Sequence, residues 1–195
     1  MSTLIPLRES GTRPPLFLVH GRIGQALVTP RFLELLGEDQ PVWAFRLRGL
    51  DGTSPPHESL EAMARDYADE IRRVQPQGPY AIGAMCIGAL VALEIAHVLR
   101  DAGQSMRPLL LIDPPYAAFA MSPEHMTPES VRDRLARHMG AMPDEASVAD
   151  SIGPEVVAAA QAFERAIRAH RPRAYRGDVI MLQSEDRLAR APWTQ

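Results

Sequence analysis

Short, unbroken apolar runs alternate along this chain with stretches in which apolar residues recur every three or four positions. Pro15-Leu16-Phe17-Leu18-Val19-His20, Pro41-Val42-Trp43-Ala44-Phe45-Arg46, Tyr80-Ala81-Ile82, Pro108-Leu109-Leu110-Leu111-Ile112-Asp113 and Gly177-Asp178-Val179-Ile180-Met181-Leu182 read as strands, and continuous rather than alternating hydrophobicity predicts strands covered on both faces. Between them, residues 30–36 predict a helix with Phe32, Leu33, Leu35 and Leu36 apolar. Residues 60–74 predict another, capped by Ser59, with Leu60, Met63, Ala64, Tyr67 and Ile71 on one face. A third follows the strand at 80–82 and runs to Arg100, with Leu90, Val91, Leu93, Ile95 and Val98 apolar and Glu94 and Arg100 polar. Residues 1–14 read as a polar lead-in. Strands alternating with helices imply an α/β fold, a mostly parallel sheet with helices on both faces.

Residues 114–170 break that rhythm. They are rich in methionine and proline, helical in two pieces (128–139 and 154–170), and contain no strand pattern. An insertion after a strand end reads as a helical lid, about 115–172, with an ordinary helical subdomain as the alternative. Met121, Met126, Met139 and Met142 suit an adaptable apolar channel and a helical core equally well.

Composition narrows the classes. The 195 residues fit one domain. A net charge of −3 and a pI near 6.1 point to neither nucleic acid nor an anionic membrane. The apolar run at 81–93 is well short of the roughly 20 residues a bilayer needs. The single cysteine excludes an internal disulfide and fits a reducing compartment. The first eight residues lack a charged-then-apolar signal pattern, so a cytoplasmic location is expected. One cysteine and scattered histidines offer no metal-ligand spacing. The glycines after the first strand do not form the dinucleotide-binding Gly-x-Gly-x-x-Gly.

The chemistry centres on Ala84-Met85-Cys86-Ile87-Gly88, a lone nucleophile flanked by small residues where a strand turns into a helix. That pattern is a nucleophile elbow, in which residues two positions either side must be small for strand and helix to approach. An inert packed thiol is the competing reading of Cys86. In parallel sheets, sites form at the carboxyl ends of strands. The His20 turn, Cys86 and Asp113 all fall at such ends, which favours the nucleophile.

These segments together resemble the thioesterase domain of nonribosomal peptide and polyketide synthetases, within the α/β-hydrolase superfamily. Leu16-Phe17-Leu18-Val19-His20-Gly21 resembles the family's first strand and oxyanion turn. Pro41-Val42-Trp43 and Leu47-Arg48-Gly49-Leu50-Asp51-Gly52 resemble its next strand and loop. Val74-Gln75-Pro76-Gln77-Gly78-Pro79-Tyr80 is similar to its lead-in to the elbow, and Leu110-Leu111-Ile112-Asp113 to the strand carrying its triad acid. Arg173-Ala174-Tyr175-Arg176-Gly177 resembles the approach to the strand after the lid.

The resemblance implies Cys86 as nucleophile and Asp113 as the acid that orients a base. Glu185 and Asp186 are the alternative acid. It implies backbone N–H groups of Arg22 and Ile87 as the oxyanion hole, each worth about 10²–10³ in rate. His20 and Met85 are the substrate-side candidates, with His20 also expected to shape its turn. No cofactor is implied; the substrate is an acyl or peptidyl chain on the phosphopantetheine of a carrier protein, the expected partner.

Two departures from the family pattern stand out. Cysteine replaces the usual serine, and at a helix N-terminus a thiol is favoured as the reactive thiolate. Acyl-Cys is itself a thioester, which suits aminolysis or ring closure better than hydrolysis. The general-base histidine is also not found: His57, His97, His125, His138 and His170 do not occupy its position, and the last three are expected to face solvent in the lid region. A chain cut short before a terminal strand and histidine loop is the favoured expectation, ahead of a different base or a degenerate, non-catalytic relative that only binds an acyl chain or carrier protein.

Overall fold

The computed structural model describes residues 2–25, 28–115, 127, 129 and 153–188. Its sheet is built from β1 (Leu4–Arg8), β2 (Leu16–Val19), β3 (Val42–Phe45), β4 (Ala81–Met85), β5 (Leu109–Ile112) and β6 (Val179–Leu182), in the spatial order β1-β3-β2-β4-β5-β6. The described helices are α1 (Pro30–Leu36), α2 (Leu60–Val74), α3 (Gly88–Asp101), α4 (Pro154–Ala169) and the short α5 (Glu185–Leu188). Among the described strands only β1 runs antiparallel.

Strand β2 shows why its apolar run is unbroken. Phe17 and Val19 enter the larger core with residues of α2 and α3, while Leu16 and Leu18 enter a second cluster with Phe32, Leu33 and Leu36 of α1. Helices therefore cover both faces, as the α/β-hydrolase fold requires. The chain leaves β2 for β3 on one side, then crosses back through α2 to β4 on the other. That reversal opens a crevice at the carboxyl ends of β2 and β4.

Helix α2 forms where its pattern placed it. The Ser59 side chain accepts from the Ala62 N–H, and Leu60, Met63, Ala64, Tyr67, Ala68 and Ile71 are buried. Strand β4 extends beyond Ile82 through Gly83, Ala84 and Met85, residues of low strand propensity placed there by pairing with β2 and β5.

Three expectations are corrected. Residues 4–8 are not a lead-in but an edge strand; Pro6 is tolerated because β1 has a partner on one side only and its register shifts between Pro6 and Arg8. Its start is clipped to α2 by Glu70, whose carboxylate accepts from the N–H groups of Thr3 (3.1 Å) and Leu4 (2.9 Å), from Thr3 Oγ1 (2.7 Å) and from the Ser2 hydroxyl. Strand β6 is not covered on both faces: Val179, Ile180, Met181 and Leu182 are 40–51% exposed. His170 does not face solvent. It is buried at the end of α4, with Nδ1 2.8 Å from Glu61 and Nε2 3.6 Å from Glu94. Glu94 is buried as well, with the Arg173 guanidinium 3.7 Å from its other oxygen as the cation that answers its charge.

Of the expected lid, α4 is described and packs Val157, Ala159, Ala160, Phe163, Ala166 and Ile167 inward. The expected helix at 128–139, the four methionines, His125 and His138 lie outside the described residues. No helix among the described residues is long and apolar enough to cross a membrane.

Candidate active site

Cys86 has φ of 51°, a left-handed conformation that costs a side-chain-bearing residue energy, and it stands between the end of β4 and the start of α3. What holds it there is close packing. A Cβ on Gly88 would lie 2.2 Å from the carbonyl oxygen of His20, so only glycine lets α3 begin against the end of β2. Ala84 and Ile87 are fully buried, and the Cys86 N–H donates to Ile112 O at 2.8 Å. Cys86 forms no disulfide and is partly buried, packed against the main core without being sealed into it.

Asp113 has the same φ of 51° at the end of β5. Met85 pairs with Ile112 in the parallel ladder, so Cys86 and Asp113 leave adjacent strands side by side. The Asp113 N–H donates to Leu182 O (2.7 Å), and its carboxylate accepts from the N–H (3.2 Å) and hydroxyl (3.0 Å) of Ser184. Met85 is half-buried next to the nucleophile. Glu185 opens α5 as an exposed side chain one residue after Ser184; the Asp186 side chain lies outside the described residues.

The turn after β2 is the third wall. Gly24 closes it by donating to Gly21 O (3.1 Å) at φ of 77°. His20 has no accessible surface. Its Nδ1 lies 2.9 Å from Gly21 O, and its Nε2 lies 3.0 Å from the Tyr67 hydroxyl. Burial pushes its pKa down to about 4, with the nearby His57 adding to the drop and the Gly21 bond opposing it. A neutral ring with Nδ1–H donating to Gly21 O fits this setting, and the Tyr67 hydroxyl that faces Nε2 also donates to Arg46 O (3.1 Å). As a substrate contact His20 is therefore corrected: its ring is sealed inside and braces the turn.

The Arg22 side chain pairs with Glu164 of α4, and Ile87 is the residue at which α3 begins. The other described histidines have their own settings. His57 Nε2 is 2.9 Å from Asp66, and the His97 ring packs edge-on to Tyr175. Three contributors escaped the sequence reading: Ser184, Glu164 and Tyr67. Only for Ser184 was there a usable signal, because its strand had to lie beside the one ending in Asp113.

Comparisons with known proteins bear on the family and the fold. Atromentin synthetase of Tapinella panuoides is 34% identical over 119 residues, 60% of this chain and 12% of that protein. Malpinin synthetase of Mortierella alpina is 38% identical over 121 residues, 62% of this chain and 2% of that protein. The chain thus spans a small fraction of these relatives. The solved covalent complex of the NocB thioesterase domain with a fluorophosphonate nocardicin G analog superposes with a TM-score of 0.71 at 29% identity, covering 92% of this chain and 77% of that one. The type II thioesterase BorB of the borrelidin cluster, at 19% identity and a TM-score of 0.69 over 88% of this chain and 72% of its own, shares the fold. The model of the thioesterase domain matches residues 14–195, and this chain belongs to that family.

Proposed function

We propose that this domain releases an acyl or peptidyl chain from a carrier protein through an acyl-Cys86 thioester. In the first step the Cys86 sulfur attacks the carbonyl carbon of a phosphopantetheine thioester. A C–S bond to Cys86 forms, the C–S bond to pantetheine breaks, and the departing sulfur takes up the proton that Cys86 gave. Negative charge developing on the carbonyl oxygen meets the N–H groups of Arg22 and Ile87. In the second step water, or a hydroxyl or amine within the chain, attacks the acyl-Cys carbonyl, and its proton passes to the leaving Cys86 sulfur.

Thiol-for-thiol exchange is close to balanced in energy, so the first step asks little of a base. The second step does need one, and Asp113 is the acid that orients it. Met85 lines the acyl path beside the nucleophile. The enzyme works in a reducing cytoplasmic setting on substrates of natural-product assembly lines, with no cofactor beyond the carrier's pantetheine.

The observation that carries this reading is Cys86 itself: a half-buried thiol held at φ of 51° beside Asp113. The test is intact mass after incubation with an acyl N-acetylcysteamine thioester. We expect one acyl mass on the wild type and none on Cys86→Ala. No adduct with a broad set of donors would favour a non-catalytic domain that only holds an acyl chain or carrier protein.

A further inference from the structure

Helix α4 grips the turn after β2 at three successive points. Ile23 packs against Val157 and Ala160; Arg22 pairs with Glu164; and the His20 ring meets Phe163 edge-on at 5.2 Å between centroids. The polar contact stands apart from the other two. The Glu164 side chain is 2% exposed and Arg22's is 18% exposed, and the second carboxylate oxygen of Glu164 is buried without a hydrogen-bond partner. A carboxylate so enclosed is costly unless a cation answers it, and Arg22 is the cation in contact. The two residues are 142 positions apart, so the pair forms only when α4 sits on the turn.

We propose that Glu164 is a positioning residue for acyl transfer: by holding the Arg22 side chain it fixes the adjoining Arg22 N–H in the oxyanion hole, so the seating of α4 sets the rate at which Cys86 is acylated. This rests on the acyl-transfer reading above. An oxyanion donor acts only when aimed at the position the developing charge will occupy, and small misplacements are expensive. Glu164 touches neither substrate nor Cys86 in this role; it acts through Arg22.

The experiment compares two reactions of the same sulfur. Acylation by an acyl N-acetylcysteamine thioester passes through an oxyanion; alkylation by iodoacetamide, a displacement at a saturated carbon, does not. Glu164→Gln is expected to slow acylation roughly 10- to 100-fold while alkylation stays within about twofold of wild type. The reversed pair, Arg22→Glu with Glu164→Arg, should recover part of the loss. Should Glu164→Gln fail to fold, Arg22→Lys carries the test, because it keeps the charge but replaces the planar guanidinium that reaches Glu164; a fall of about tenfold is expected. Equal acylation rates in variant and wild type, or a parallel fall in both reactions, overturn the role of Glu164. A wild type that takes no acyl group overturns the acyl-transfer reading and this inference with it.

Discussion

Two turns in this molecule share one backbone conformation and owe it to different causes. Cys86 and Asp113 leave neighbouring parallel strands, and both have φ of 51°. The Cys86 turn is enforced from inside: Gly88 lies against the His20 carbonyl, and Ala84 and Ile87 are sealed in the core. The Asp113 turn is tied from outside, by Leu182 and Ser184 at the end of a strand whose side chains are half-exposed. Strain persists only where the surroundings over-determine it. The nucleophile's geometry is therefore as durable as the core, while the acid's is only as durable as the edge beside it.

The contrast breaks most sharply at Gly88. Gly88→Ala puts a Cβ into backbone that cannot yield, and we expect a loss of about 3 kcal/mol or more, read by urea unfolding. Acid should loosen the turn after β2, whose His20 carbonyl Gly88 lies against. His20 has a folded pKa of about 4 against 6.5 unfolded, so the unfolded chain binds its proton first as pH falls. The stability that neutral His20 provides is intact above pH 6.5 and is lost progressively down to pH 4, by about 3 kcal/mol. Urea midpoints should fall across that window, and fall less in a His20→Gln variant. The smallest effect belongs to the outer turn. Ser184→Ala removes two hydrogen bonds' worth of partner only in part, since the Ser184 N–H remains; about 1 kcal/mol or less is expected, with alkylation of Cys86 unchanged.

What the sequence disclosed follows the same division. Helix α2 was legible to its cap because a stripe at helical spacing and a serine at its start are local signals. Cys86 and Gly88 were legible because a strained strand-to-helix turn demands small residues at fixed offsets. Strand β1 was not, since one buried leucine beside a proline has no periodicity and its partner is some forty residues away. The burial of Glu94, Glu164 and His170 was also hidden. Each is a charged or titratable group that goes inside only because a distant partner meets it, and such partners leave no mark on neighbouring residues.

The Glu70 clip has a consequence for how the molecule breathes. Amides at the outer end of an edge strand normally trade their hydrogens with water almost freely. Those of Thr3 and Leu4 are instead locked onto one carboxylate of α2. Burial raises the Glu70 pKa, but the bonds from Ser2, Thr3 and Leu4 outweigh it and hold the group below its ordinary range. The lock therefore stays shut above the usual carboxylate pKa and loosens as acid protonates Glu70. Deuterium should enter these two amides slowly at neutral pH, on the schedule of helix α2 rather than of a fraying end, and should enter early once Glu70 takes up its proton.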